Sequence, residues 1–566
     1  MDTMIFNPLE DYEKKFKAAH SSNTEAFFKE LEEKSQVNVE ENRAAVAKYK
    51  AQLEKAEAVS KKAGGLKGLR IAAIVLAVLA VIAAVMLFVA EYIVAGLVLL
   101  ILAAGALVVT LKVLNPRIKN LDQLHQKEME TAEKLQQICW QQMQPLNQLF
   151  QAWDGIALVE KTIPQFDFHP NFPVSQEKDM VDNYNFIPCE SDEQSVIDVL
   201  SGTYNSNPFL FERRLVHKMG METYHGYKTI HWTESYRDSK GNRRTRHRSQ
   251  TLHATVTRPK PFYHTETKLH YGAQAAPDLT FSRENRHLED KSERAIDAMV
   301  RKGEKKLQEK QEKALENSQQ FVGMTNTEFD VLFDALDRNH EVQFRLLFTP
   351  LAQTNMVDLL RSEAGYGDDF DFYKKCRMNT IVSEHGQNRS LLLSPDAIRS
   401  YDYDQIRSKF QSSHEEYFKA IYFDFAPLLA IPVYQEEPVQ SLHPLPEDYR
   451  RYSTEEYEVL ANAMDAKYLV HPKTRTKAIL KANYHSSHSS TDRVDITAHS
   501  YDTVDRVDYV SVHGGDGRMH RVPVHWQEYI PLTKHNQICI STDGQNANVH
   551  KHGLYARVSN EEVKGE

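Results

Sequence analysis

The stretch IAAIVLAVLAVIAAVMLFVAEYIVAGLVLLILAAGALVVTL, residues 71–111, holds one charged side chain, Glu91, in 41 positions. As a single helix rising 1.5 Å per residue it would be about 60 Å long, roughly twice the thickness of a bilayer's hydrocarbon core. Divided at Glu91 and Tyr92 it becomes two segments, 71–90 and 93–111, each close to the ~20 residues that one crossing needs. A carboxylate at mid-bilayer costs ~3 kcal/mol or more, whereas at the tip of a helical hairpin it is hydrated. Glu91 therefore marks the hairpin tip, with Tyr92 beside it as an interfacial aromatic. Two residues are few for such a turn, so residues 89–96 are expected to unwind in part.

The flanks give an orientation. Lys61, Lys62, Lys67 and Arg70 precede the run, Lys112, Arg117 and Lys119 follow it, and the tip has no Lys or Arg. The positive-inside rule then predicts a two-span protein of the cell membrane with both termini cytoplasmic. A transport pathway needs polar groups within the spans, and apart from Glu91 only Thr110, at the far end, offers one. A homo-oligomeric pore ringed by Glu91 stands as a lesser alternative.

Around this pair the chain is ordinary globular material. In 566 residues the hydrophobic fraction is 41% and the charged fraction 26%, which excludes wholesale disorder and leaves room for two or three further packed domains. A net charge of -9 gives no global case for nucleic acid. Cys139, Cys189, Cys376 and Cys539 lie far apart with no CxxC spacing, which indicates neither a disulfide framework nor a zinc site. The polar N-terminus does not read as a secretory signal.

Residues 10–62 read as helix, with a break near HSSNTE (20–25), and Val46, Tyr49, Leu53 and Ala56 follow a short heptad. Leu121, Leu124, Leu135 and Ile138 suit a returning arm, so the two could pair as an antiparallel stalk inviting self-association, or pack separately on the soluble region. Beyond residue 155 strand patterns take over. YHGYKTIHWTESY (224–236) and SQTLHATVT (249–257) alternate around a Lys-Gly-Asn turn and read as an antiparallel hairpin. A charged helix is expected over 284–320. Its stripe Val300, Leu307, Ala314, Phe321 has Ile296, Gly303, Lys310, Asn317 as companion row, too polar for a long coiled coil. EVQFRLLFTP (341–350) reads as strand, TNMVDLLRS and EEYFKAIYFDFAPLLAIP as helix. STEEYEVLANAMDAKYL (453–469) reads as one helix, followed by alternating strands with a turn at GGDG (514–517).

The expected fold class is therefore α+β in six segments. These are a helical arm (1–68), a two-span hairpin (69–113), a helical stalk (114–155), a β-rich region with the charged helix (156–322), an α+β unit (323–440), and a helix with antiparallel strands (441–566).

Chemistry is sparsely signalled. The loop of the 224–257 hairpin gathers Arg237, Lys240, Arg243, Arg244, Arg246 and Arg248, a cluster suited to anionic lipid headgroups at ~1 kcal/mol per cation. A solvated turn whose charges protect a sheet edge is the simpler reading. Aromatic residues are not interleaved in the tip, which disfavours nucleic acid. His485 and His488 lack a third ligand at any metal-site spacing, and Asp368, Asp369 and Asp371 lack the EF-hand pattern. Asp334, Asp337, His340 and Glu341 could form an acid-base group, although an ordinary polar loop is the simpler reading. No P-loop, GxSxG, GxGxxG or catalytic cysteine signature occurs. No catalytic residue, metal or cofactor is assigned.

The phrases LSGTYNSNPFLF, YGAQAAPDLTFSRE, EVQFRLLFTPLAQTNMVDLL, APLLAIPVYQ and GGDGRMHRVPVHWQEY resemble an uncharacterised family of bacterial membrane proteins with a two-span hairpin and a large cytoplasmic domain of unknown function. The resemblance implies architecture and supplies no catalytic residue, ligand or partner. The sequence thus leads to a membrane-anchored cytoplasmic binding, sensing or scaffolding module, partnered by the bilayer and by a second copy or another protein. A membrane-tethered hydrolase is the alternative.

Overall fold

The computed structural model describes residues 4–90, 92–237, 242–316, 323–362, 364–387, 389–438, 452–488, 491–541 and 558–559. The chain forms two compact units, one of Met1–Asn23, Ala152–Leu393 and Glu415–Glu566, the other of Thr24–Gln151 and Ser394–His414. It is mixed α+β, with helices and antiparallel sheets.

The second unit is helical. A helix of 51 residues, Val39–Val89, starts at Asn38, whose side chain accepts from the Glu41 N–H. After a break it is followed by Ile93–Val109, a π-helical turn at Thr110–Leu114, and Asn115–Asn147. The break is shorter than expected, because Ile93 and Gly96 are already helical. Glu91 lies outside the described residues; Tyr92 occupies the break and is exposed. The expected interruption at HSSNTE is also absent: Lys17–Ser35 is a continuous helix. The chain turns instead at Gln36, whose φ of +52° is incompatible with a right-handed helix.

The two long helices meet through small side chains, Ala56, Ala63, Ala77, Ala84 and Ala103, all buried. Small residues let helix backbones approach closely. Polar contacts run in antiparallel order: Gln52 Nε2 donates to the Glu128 carbonyl at 3.4 Å, His125 Nδ1 contacts the Ala56 carbonyl at 3.0 Å, and Lys67 pairs with Asp122 at 2.8 Å. By length and composition both helices are apolar enough to cross a membrane.

The first unit contains two antiparallel sheets. The larger comprises β1 (Phe166–His169), β2 (Gln194–Tyr204), β3 (Asn207–Arg237), β4 (Arg243–Gly272), β5 (Thr280–Arg283), β6 (Phe370–Lys375) and β7 (Met378–Ser383), in the order β1-β2-β3-β4-β7-β6-β5. Strands from both sides of residue 322 thus share one sheet. The smaller has β8 (Ile479–His488), β9 (Thr491–His513), β10 (Met519–Ser541) and β11 (Val558–Ser559), ordered β11-β10-β9-β8.

The core of this unit is rich in phenylalanine. Phe281 and Phe372 on the sheet pack against Phe329, Phe333, Phe344 and Phe348, each buried ring contributing roughly 1.5–3 kcal/mol of transfer free energy. Ile5, Tyr12 and Phe16 of the N-terminal segment belong to the same core. Residues 341–347 supply Phe344 from a helix, Glu341–Leu347, and not from the expected strand. Val342 and Leu346, which suggested alternation, are exposed, whereas Phe344, Leu347 and Phe348 follow helical spacing inward. The charged helix begins later than expected, at Glu293, because residues 284–292 run without helix; it is described as far as Glu316, and 317–320 lie outside the described residues. STEEYEVLANAMDAKYL divides into Thr454–Ala463 and Ala466–Leu469.

Candidate functional site

The expected hairpin is the distal half of a far longer ribbon, since β3 and β4 have 31 and 30 residues and pair without a register shift from Phe209↔Tyr271 to Arg237↔Arg243. Alternation puts even-numbered residues of this ribbon on one face and odd-numbered ones on the other. The even face carries Ile230, Leu252 and Ala254, which form a small core with Val522 and Val524 of the β9–β10 ribbon. Close approach is set by Gly226, where a Cβ would lie 2.1 Å from the Pro523 carbonyl oxygen. Arg258 Nη2 reaches Asp508 Oδ2 at 2.5 Å, and the Gly515 N–H donates to Gln250 Oε1 at 2.7 Å.

The GGDG turn of β9–β10, with Gly517 at φ +78°, ends at the level of Gln250 and Trp232. Beyond that level, among the described residues, β3–β4 continues without the β9–β10 ribbon for about five residues on each strand, roughly 17 Å. This projecting end carries the basic cluster. Register places Arg244 opposite Tyr236, Arg246 opposite Glu234 and Arg248 opposite Trp232 on the even face, while Arg237 and Arg243 face each other on the odd side. Lys240 lies outside the described residues. The cations therefore divide between two faces. Tyr236 and Trp232, which precede the tip in sequence, stand directly across from arginines. Arg248 Nε and the Trp232 indole N–H both donate to Glu234, at 3.1 Å each, and hold its carboxyl below the usual range.

The other sequence candidates are dispersed by the fold. Asp368 pairs with the buried Arg283, Asp369 with His385, and Asp371 accepts from the Asn285 N–H at 2.7 Å, so this acidic run forms no common cation site. Asp334 pairs with Arg286 at 3.1 Å, Asp337 accepts from the Ser282 N–H at 3.0 Å, His340 caps a helix, and Glu341 pairs with Arg338 at 3.0 Å. His485 meets Asp495 at 3.1 Å on an exposed strand.

Sequence reading missed two buried ionic clusters. In one, His385 bridges Asp369 and Asp424 while Tyr366 stacks on its ring at 3.8 Å. Burial opposes the charge, but the two carboxylates prevail and raise the imidazole to about 9. In the other, Glu212 is fully buried and takes a two-pronged contact from Arg214, at 2.5 and 2.7 Å, with His270 at 3.4 Å. Its carboxyl is held down at about 2 although burial works against it. Helix Thr454–Ala463 adds Glu455, Glu456 and Glu458, all buried. Glu458 meets Lys481 at 2.5 Å and burial lifts it to about 7, while Glu455 and Glu456 are pushed far above the carboxylate range. The only hint in the sequence is the run of glutamates among core-spaced Tyr457, Leu460 and Ala461.

Where the sheets meet, His217, His499, Asp192 and Glu193 line a cavity of about 160 Å³, smaller than the 300–1,000 Å³ of typical small-molecule sites. Among the described residues one exposed group, His287, Glu289 and Asp290, could hold a metal by proximity. In comparisons with known proteins the chain matches no protein-family model, no curated protein and no solved structure.

Proposed function

We propose that this protein is an integral membrane protein whose non-membrane region is a binding or scaffolding module, and that the arm formed by β3 and β4 engages anionic lipid surface through its basic end. The observation that carries the reading is the outward apolar surface of the two long helices. Leu76, Met86 and Val94 are 65%, 68% and 80% exposed, in a band continued by Ile82, Val98 and Ile101. A water-soluble monomer rarely exposes more than a few hundred Å² of contiguous apolar surface. Lipid is the solvent that would make this surface favourable, and the flanking lysines and arginines favour cytoplasmic ends. The projecting end adds arginines with Trp232 and Tyr236, residue types that suit a headgroup interface. The five phrases quoted above support placing the chain with the two-span bacterial family.

The test is extraction followed by labelling. The protein should stay in membranes through alkaline carbonate washing. In a background with the four cysteines replaced, Tyr92→Cys should react with an impermeant maleimide from outside the cell and Lys62→Cys only after permeabilisation. Release by the wash would overturn the membrane reading, and the reverse labelling pattern would overturn the orientation.

A further inference from the structure

The charged helix Glu293–Glu316 and the helix Thr327–Phe333 enclose a cavity of about 500 Å³, within the range that holds a mononucleotide-sized molecule. Its lining combines apolar Met299, Leu307, Val331 and Leu336 with Arg286, Lys302, Lys306, Lys310, the buried Asp330 and Asp334. Lys302, Lys306 and Lys310 are four residues apart and rise along one side of the helix.

The two carboxylates are already satisfied. Asp330 accepts from Arg338 Nη1 at 2.7 Å and from the Met324 N–H at 2.7 Å, and Asp334 pairs with Arg286 at 3.1 Å. Lys302 and Lys306 form no ion pair among the described residues, so the lining keeps surplus positive charge. Lys310 donates to the Leu336 carbonyl at 2.9 Å, and burial and the nearby Arg338 weaken its hold on its proton. Such a group gains when a negative charge arrives. Two of the three residues that spoil the helix's apolar seam find their place here. Gly303 brings the backbone against Val331, where a Cβ would be 2.4 Å from Cγ1, and Lys310 lines the cavity.

We propose that this cavity binds a small organic anion, a phosphate or carboxylate on an aromatic or alkyl body, with the body against Met299, Leu307, Val331 and Leu336 and the anion between Lys302, Lys306 and Lys310. This goes beyond the membrane reading and does not depend on it.

The test uses the full-length protein in detergent and trinitrophenyl-AMP as fluorescent probe, with unlabelled AMP as competitor. Saturable binding at one site per chain is expected, displaced by AMP. The double variant Lys302→Gln/Lys306→Gln should weaken it at least tenfold. Met299→Trp, which fills the cavity without changing charge, should do the same, provided its thermal unfolding matches the parent. Arg301→Gln/Lys305→Gln removes two charges of the same helix outside the lining and should change affinity less than twofold. Absence of saturable binding, or equal weakening by both double variants, would overturn the proposal.

Discussion

Nδ1 of His385 lies 2.5 Å from Oδ2 of Asp369, while Nε2 of the same ring faces Oδ1 of Asp424 at 3.3 Å. The imidazole is thus clamped as a cation between the sheet and the helix Tyr403–Leu429. A folded-state value of about 9, against 6.5 for the free side chain, makes the clamp's contribution complete below about pH 6.5 and lost as pH rises through 9. The full contribution is on the order of 3 kcal/mol. His385→Gln should lower stability at pH 6 and flatten the decline between pH 6.5 and 9 in denaturant titrations. Parallel pH profiles for parent and variant would remove this account.

Two buried glutamates should respond in opposite ways. Glu456 is held neutral by burial and accepts from the Phe172 N–H at 3.2 Å, a bond that an amide oxygen can also accept. Its folded-state pKa is raised, so its contribution is present at low pH and lost as pH rises. Glu456→Gln should therefore be nearly neutral below about pH 4.5, where the carboxyl is protonated folded or unfolded, and increasingly stabilising as pH rises above it, already so at pH 7.

Glu212 is the converse, held at about 2, with its contribution present above about pH 4.5 and lost as pH falls through 2. Glu212→Gln leaves the guanidinium of Arg214, itself only 8% exposed, without its counter-charge. A loss of about 3–5 kcal/mol at pH 7 is expected for breaking a buried pair in this way. Thermal unfolding of the two variants side by side measures the contrast.

Charge at the projecting end should govern vesicle capture. Full-length protein in neutral nanodiscs, with Arg243, Arg244, Arg246 and Arg248 all changed to Ser, should lose more than tenfold in capture by separate anionic vesicles, at ~1 kcal/mol per cation removed. Capture by neutral vesicles should not change. The N-terminal segment must be retained, because Ile5, Tyr12 and Phe16 complete the core of the unit that carries the arm.

Gly226→Ala should separate the two ribbons, because the new methyl would meet the Pro523 carbonyl and Val524 Cγ2. A cost of about 1–3 kcal/mol is expected for such overpacking. Amide exchange should quicken at Ile230, Val522 and Val524 and stay unchanged at Phe372. Uniform exchange across both sites would show that the ribbons are not coupled through this contact.

Much of the architecture was legible because it rests on local pattern. The apolar run announced two long helices, alternation around Lys-Gly-Asn announced the β3–β4 hairpin, and GGDG announced the β9–β10 turn. Residues 341–347 misled because Val342, Phe344 and Leu346 alternate while Phe344, Leu347 and Phe348 also keep helical spacing. Burial of the second set against Phe281 and Phe329 decided between them. The sites were largely illegible for a different reason. Asp369 and His385 stand 16 residues apart, Asp424 a further 39, and Glu458 reaches Lys481 from another element.

By itself, then, the sequence determined which segments are apolar enough to leave water, where the ribbons turn and how charge is distributed along them, since each depends on neighbours in the chain. Only the tertiary structure decided which carboxylates are neutral, which histidine is a fixed cation and where cationic and apolar side chains come to line one cavity. Those properties follow from desolvation and from opposite charges a few ångströms away, and both are set by residues that meet only when the chain is folded.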